Sequence, residues 1–209
     1  HLIMAELKLP QPEVREVYAG TQESAPPEES DLVSRGRAGA DFHFGSRVPV
    51  GTIYDFLPRC VLQTQPGLEV FWGWLVVDKW MGQVDSRQCI FTRSKDGAFQ
   101  PMAIDNGDML GGRNWNYHPS SSSGLYFDCC VYDRLQSLRD LEVWLSAVEG
   151  LSLDRVYAQL RQLYPMWLDQ DQDLLSARID ELWLGRKSLE AKLQRSLDAA
   201  PNHFRSWVG

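Results

Sequence analysis

The sequence lacks both a hydrophobic run that could cross a membrane and a cysteine spacing typical of a zinc site. Its longest apolar run, residues 70–77, is far shorter than the roughly 20 residues that a membrane-spanning helix needs. No stretch has the pattern of a signal peptide. We therefore expect a cytoplasmic protein without a membrane partner. The four cysteines form no Cys-x-x-Cys pair, which predicts reduced thiols and no zinc: Cys60, Cys89, Cys129 and Cys130.

Basic side chains are outnumbered by acidic ones. The chain has 21 Lys and Arg against 28 Asp and Glu, for a formal net charge of −7. Such a surface disfavours non-specific contact with nucleic acid, so we expect no direct nucleic-acid binding. The 209 residues are enough for one large domain or two small ones. Eight tryptophans can bury much area each, so a sizeable core is feasible.

Residues 1–40 are predicted to form a helix end, an extended segment over residues 12–20 and a loop. Residues 1–9 have the composition of a helix end, stopped by Pro10 and Pro12. Residues 21–40 are rich in Pro, Glu, Ser and Gly, which predicts a flexible loop. Since the chain does not begin with methionine, we expect residues 1–40 to be a helix end and a loop that join a missing or truncated preceding lobe.

The remainder, residues 41–209, has the patterns of a mostly helical α+β domain. Alternation over residues 41–58 predicts one or two strands. Apolar residues at steps of three and four from residue 67 onward predict a buried helix, with its tryptophans in the core. A β-hairpin is predicted around Asp96-Gly97. Three more helices are predicted in the C-terminal half, from the same spacing: residues 135–151, 152–164 and 171–200.

Polar side chains are expected to meet at one end of this hairpin. Asp85, Arg87 and Gln88 lie in the loop just before its first strand, and Asp105 ends its second strand. Because the start of one hairpin strand lies beside the end of the next, Asp85, Gln88 and Asp105 should converge. Gly107 is expected to permit the sharp turn that leaves the Asp105 carboxylate pointing at a metal ion.

These side-chain types suit phosphoryl transfer. Asp85 can accept the proton of an attacking hydroxyl, and Asp105 can hold Mg²⁺ against the phosphates. The amide of Gln88 can complete the metal shell, and Arg87 can orient either the loop or the phosphates. The alternative is a solvated network of turn residues, because aspartates before Asn-Gly and at helix ends are common.

Three segments resemble the HipA-like kinases, in particular the bacterial branch outside the toxin proper: residues 42–58, 72–93 and 102–117. The resemblance covers most of residues 41–195. The residues that match the family's motifs are Gln83, Asp85, Arg87, Gln88, Ile104, Asp105, Gly107 and residues 114–117.

The resemblance implies a protein-kinase-like C-lobe over residues 41–209, with a catalytic-loop β-hairpin and a helical C-terminal half. It implies that Asp85 is the catalytic base and that Asp105 is the metal ligand. Gln88 would take the amide role, since the fifth residue after Asp85 is Ile90, where protein kinases have a metal-binding Asn. The implied cofactors are ATP and Mg²⁺.

Two hypotheses about function follow. A glycine-rich phosphate loop and a strand lysine should precede such a C-lobe, and residues 1–40 contain neither. The chain is then a Ser/Thr kinase-like phosphotransferase that needs an N-lobe, with a nucleotide and an unknown protein or small-molecule phosphate acceptor as partners. Alternatively, it is a non-catalytic kinase-fold module that binds or scaffolds a partner.

Further candidates have weaker patterns. The acids of residues 169–173 are spaced like the start of a calcium loop, but Leu174 stands where the loop needs glycine. His43 and His118 could be metal ligands, although a lone histidine is more often structural. Arg113 follows two glycines near the expected metal turn and could contact phosphate.

Overall fold

The computed structural model describes four stretches of the chain: residues 1–18, 42–114, 123–163 and 172–209. The protein is an α+β fold, about half helical with small antiparallel sheets, which confirms the α+β class; the kinase-like C-lobe stays a prediction. It divides into two compact units, residues 12–50 and residues 1–11 with 51–209.

The smaller unit is built on one antiparallel strand pair. Strand β1 (Val14–Tyr18) pairs with β2 (Phe42–Ser46). At the open end of the pair, the exposed Glu13 carboxylate forms ion pairs with Arg15 and Arg47. Exposed pairs of this kind contribute little stability, so the backbone ladder and not the charges defines this unit.

The larger unit contains seven α-helices in its described part, together with several short 3₁₀ turns. In chain order they are α1 (Leu2–Glu6), α2 (Arg59–Leu62), α3 (Val70–Met81), α4 (Glu142–Gly150), α5 (Leu153–Leu163), α6 (Gln172–Gly185) and α7 (Leu189–Asp198). The helix predicted at the N-terminus is therefore present. Within the described residues, no helix combines the length and the apolar character needed to cross a membrane.

Helix α3 lies at the centre of this unit, as its apolar spacing predicts. All of its residues after Val70 are buried, including the three tryptophans. A buried indole usually finds a partner for its N–H. Trp72 donates to the carbonyl oxygen of Val131 at 2.9 Å, and Trp80 donates to that of Leu182 at 2.8 Å. Trp72 and Trp80 thus also connect the C-terminal half of the chain to α3.

A three-stranded antiparallel sheet contains one strand that precedes α3 in the chain and two that follow it. Strand β3 (Ile53–Tyr54) pairs with β4 (Gln88–Arg93), which pairs with β5 (Phe99–Ile104). The β4–β5 pair is the predicted hairpin, with Gly97 at φ 90° in its turn. On the free side of β5, the N–H of Ala103 donates to the carbonyl oxygen of Pro10 at 3.0 Å, so the N-terminal segment lies against the sheet edge.

The single helix predicted over residues 171–200 is in fact two helices. Helix α6 ends at Gly185, and a 3₁₀ turn separates it from α7. In that turn Arg186 donates from its guanidinium to the carbonyl oxygens of Glu149 and Leu151. This contact with the end of α4 explains the break, which apolar periodicity alone does not reveal.

Candidate functional site

The side chains of Asp85, Gln88 and Asp105 meet at the open end of the hairpin, as the sequence predicts. Gln88 pairs with Ile104 in the strand ladder, so the two aspartates flank it. The Nε2 of Gln88 donates to Oδ2 of Asp105 at 3.1 Å and to Oδ2 of Asp85 at 3.4 Å. All three side chains are exposed. One carboxylate oxygen of each aspartate therefore faces the same small, solvent-accessible space.

The loop that carries Asp85 holds this carboxylate in a defined orientation. Its Oδ1 accepts a hydrogen bond from the backbone N–H of Ser86 at 2.7 Å. Its backbone carbonyl accepts another from the N–H of Gly124, also at 2.7 Å. The loop thus occupies Oδ1 and directs Oδ2 towards Asp105, which leaves one oxygen to act on a ligand.

Asp105 adopts a left-handed backbone conformation, with φ 52°. The expectation that Gly107 supplies the unusual backbone is wrong, because Gly107 is not among the glycines with positive φ. A Cβ at Gly107 would meet only Oδ1 of Asp105, at an ordinary 3.7 Å. A left-handed non-glycine residue costs roughly 1–2 kcal/mol, although Asp tolerates it better than most. Such strain is concentrated at functional sites.

Arg87 lies beneath the two aspartates as a buried connection between elements. Its Nε donates to Oδ2 of Asp78 at 2.8 Å, and its Nη2 donates to Oδ1 of the same carboxylate. Its Nη1 donates to the carbonyl oxygen of Ile104 at 3.0 Å and to Oδ1 of Asn106 at 2.8 Å. Of the two roles expected for Arg87, only orientation of the loop agrees with this geometry, because the side chain is buried and its donors are engaged.

The Asp78–Arg87 ion pair is almost completely removed from solvent. The Asp78 side chain is 0% exposed and the Arg87 side chain 1%. Burial raises the pKa of the Asp78 carboxyl, and the guanidinium of Arg87 opposes that shift. Breaking such a pair by removing one partner leaves an uncompensated buried charge, at a typical cost of about 3–5 kcal/mol. The two residues therefore depend on each other.

Residues 123–125 pack against the loop that carries Asp85. The Nζ of Lys79, next to Asp78 on α3, donates to the carbonyl oxygen of Ser123 at 2.7 Å, and burial lowers the pKa of this amine. The Ser123 hydroxyl donates to the carbonyl oxygen of Val84 at 2.8 Å. The N–H of Arg87 donates to the carbonyl oxygen of Leu125 at 2.9 Å. The loop around Asp85 is thus held from both sides.

Sequence reasoning did not identify Asp78, Lys79 or Gly124 as part of this site. Asp78 and Lys79 are the only charged residues of α3, and two charges in an otherwise apolar helix were a usable signal. Gly124 is in the left-handed region at φ 71°, and a Cβ there would lie 2.7 Å from the Cβ of Asp78. Its close approach depends on tertiary packing, which no local pattern reveals.

Gln83 supports the site from the buried side. Its side chain is 2% exposed. Its Oε1 accepts from the N–H of Val84 at 3.1 Å, and its Nε2 lies 3.4 Å from the backbone carbonyl oxygen of Asp105. The resemblance placed Gln83 at a motif position, and here it links the loop before Asp85 to the turn at Asp105.

Two carboxylates are a number of protein ligands that commonly binds Mg²⁺. No group of three or more His, Cys, Asp and Glu side chains capable of holding a metal exists in the described stretches. Mg²⁺ is commonly bound by one or two carboxylates, with phosphates and water as its other ligands. Asp85 and Asp105 provide that number. Gln88 presents its amide nitrogen to them, so ligation through Oε1 requires the amide to turn over.

Most of the other candidate residues cannot be compared with this site. The side chains of His43 and Arg113, together with His118 and residues 169–171, lie outside the described residues. All four cysteines are free. Cys89 is close to the site in sequence, but burial raises its pKa to about 12, so it is not an activated thiol.

Comparisons of the chain with protein-family models, with curated proteins and with solved structures give no significant match.

Proposed function

We propose that this chain is the C-lobe of an ATP- and Mg²⁺-dependent phosphotransferase of the HipA-like kinase type. The observation that carries the proposal is the convergence of Asp85 and Asp105 on the single amide of Gln88. Phosphoryl transfer needs one carboxylate for the attacking hydroxyl and another for the metal ion, close together and exposed to the substrate. The motif resemblance independently assigns those two roles to the same two residues.

The two aspartates have different surroundings, which suit different roles. Asp85 has one oxygen held by the N–H of Ser86, so its other oxygen is oriented to accept the proton of an acceptor hydroxyl. Asp105 projects from a strained turn at the end of β5, where it would hold Mg²⁺. The bound Mg²⁺ would neutralise charge on the phosphates of ATP. Gln88 would join the metal shell after its amide turns.

Calorimetric titration of Mg·ATP into the full chain tests this proposal. We expect wild type to bind and Asp105→Asn to lose binding while its circular dichroism spectrum stays unchanged. Asp96→Asn is the matched control, since Asp96 lies in the turn at the opposite end of the same hairpin, and it should bind like wild type. Equal binding by wild type and Asp105→Asn contradicts the metal assignment. No binding by wild type would mean either that the missing N-lobe is required or that the site is inactive, as in the non-catalytic module.

A further inference from the structure

The guanidinium group of Arg87 forms hydrogen bonds with the residues on both sides of Asp105. Arg87 Nη1 donates to the carbonyl oxygen of Ile104, the residue before Asp105, and to the side chain of Asn106, the residue after it. Arg87 is also only two positions after Asp85 in the loop. Arg87 therefore constrains the position of the backbone near both Asp85 and Asp105.

The other end of this guanidinium is anchored in the core. Nε and Nη2 bind the two carboxylate oxygens of Asp78, near the end of the fully buried helix α3. A bidentate Arg–carboxylate pair has a fixed planar geometry, in contrast to a single contact with a lysine. Helix α3 thus fixes the position of Nη1 through Asp78, and Nη1 in turn fixes the turn at Asp105.

We propose that Asp78, Arg87 and Asn106 form a positioning network that sets the separation of the Asp85 and Asp105 carboxylates, and thereby the affinity of the site for a divalent cation. This inference rests on the proposed function, in which the cation is Mg²⁺. None of the three residues touches the cation or the phosphates; they act through the two aspartates.

A purely structural role for the ion pair predicts that a variant which keeps the fold also keeps its affinity for the cation. Replacing a buried ion pair by apolar residues of similar volume is often neutral or stabilising. An apolar pair at positions 78 and 87 can fill the space, but it cannot donate to the carbonyl of Ile104 or to Asn106. Stability and cation affinity should therefore separate in such a variant.

The test is a titration of the full chain with Mn²⁺ alone, in which electron paramagnetic resonance measures the concentration of the free ion. Urea unfolding of each variant measures its stability. For the Asp78→Leu/Arg87→Met double variant we expect an unfolding midpoint near that of wild type and a Mn²⁺ dissociation constant raised roughly 10–100-fold, the usual effect of losing residues that orient metal ligands. Asn106→Ala should raise it by a smaller factor. Asn202→Ala, an exposed residue near the C-terminus, is the control and should change nothing.

Each result is decisive. A folded double variant that binds Mn²⁺ like wild type overturns the positioning role and leaves the proposed function intact. If the double variant does not fold, Asn106→Ala decides, because Asn106 is only half-buried, and unchanged affinity in that variant overturns the proposal. Failure of wild type to bind Mn²⁺ also overturns it, whereas the Mg·ATP titration of Asp105→Asn judges the proposed function separately.

Discussion

The amide nitrogen of Gln88 lies 3.1 Å from Oδ2 of Asp105, across the open end of the β4–β5 hairpin. The same nitrogen lies 3.4 Å from Oδ2 of Asp85. Two carboxylates that face one space repel each other unless something positive lies between them. The amide hydrogens supply partial positive charge at that place. Gln88 therefore stabilises the pair of aspartates in the absence of a cation.

Replacing this amide by a third carboxylate should make the site depend on a cation. In Gln88→Glu the amide hydrogens are lost and a third negative charge is added, so we expect the melting temperature at neutral pH to fall by roughly 2–4 °C. Added Mn²⁺ should restore the melting temperature, because it bridges the three carboxylates. Thermal unfolding followed by circular dichroism, with and without Mn²⁺, measures both effects.

Gln100→Glu is the control for this prediction, because Gln100 is an exposed residue of β5 that pairs with Thr92, away from the aspartates. It changes charge by the same amount on the same hairpin. We expect neither a comparable loss of melting temperature nor a recovery with Mn²⁺. Equal melting temperatures for the two variants would show that Gln88 does not stabilise the aspartates.

Gly124 should tolerate no side chain, because its backbone lies directly against Asp78. In Gly124→Ala the new Cβ would approach the Cβ of Asp78 to 2.7 Å, in a left-handed backbone at φ 71°. Gly67 has nearly the same backbone, φ 74°, with nothing within 4 Å of its Cβ position. We expect Gly67→Ala to cost about 1–2 kcal/mol for the backbone alone, and Gly124→Ala to cost about 1–3 kcal/mol more for the overlap.

Urea unfolding of the two variants measures the difference. Both variants have the same backbone cost. The difference between their losses of unfolding free energy therefore reports how tightly residues 123–125 pack on α3. Equal losses of unfolding free energy in Gly124→Ala and Gly67→Ala would mean that the segment can move away from Asp78 at little cost. That result would contradict the view that this segment is held in a fixed place beside the loop that carries Asp85.

Alkaline pH should destabilise the protein through its buried thiols and phenols. Burial raises the pKa of Cys89 from 9.0 to about 12, and it raises the pKa of Tyr132 as well. At pH values well below 9, the Cys89 thiol is protonated in both the folded and the unfolded protein, so its contribution to stability is fully present. Above pH 9 the thiol ionises first in the unfolded chain, so the free energy of unfolding falls, by up to about 1.4 kcal/mol per pH unit for this group.

Urea unfolding between pH 8 and pH 11 tests this expectation. Cys89→Ala should flatten the decline above pH 9, because one of the contributing groups is gone. Cys60→Ala is the matched control, since Cys60 is exposed, and its profile should follow that of wild type. A profile for Cys89→Ala that also follows wild type would show that the Cys89 thiol does not contribute to the alkaline loss of stability.

The parts of this fold that were predictable depend on local patterns. The hairpin has a turn sequence between two strands, and α3 has apolar residues nearly all round, so both are visible in short windows. The convergence of Asp85 and Asp105 then follows from hairpin geometry alone. The break between α6 and α7 was missed because it depends on Arg186 reaching the end of α4, a contact distant in sequence.

The least predictable part of the site is its buried support. The pairing of Asp78 with Arg87 depends on both residues facing the interior at the same place. The contact of Gly124 with Asp78 depends on a long connection returning to α3. The turn after β5 shows a further limit of sequence patterns. The glycine at position 107 predicts the turn, but the residue with the left-handed backbone is Asp105.

The strain at Asp105 gives a prediction in which function and stability oppose each other. Glycine occupies the left-handed region readily, whereas alanine is disfavoured there by roughly 1–2 kcal/mol. Asp105→Gly and Asp105→Ala remove the same carboxylate and the same contact with Gln88. We therefore expect Asp105→Gly to be the more stable of the two by about 1 kcal/mol in urea unfolding, and both to lose Mn²⁺ binding.

Asp85 provides the matched comparison, because its φ is not positive. At an ordinary backbone position glycine is less favourable than alanine, by roughly 0.5–1 kcal/mol. The order of stability should therefore reverse: Asp85→Ala should be more stable than Asp85→Gly. The same order at both positions would mean that Asp105 is not held in a strained conformation. A reversed order would mean that the turn keeps an aspartate where glycine is more stable, as expected if the carboxylate is retained for its chemistry.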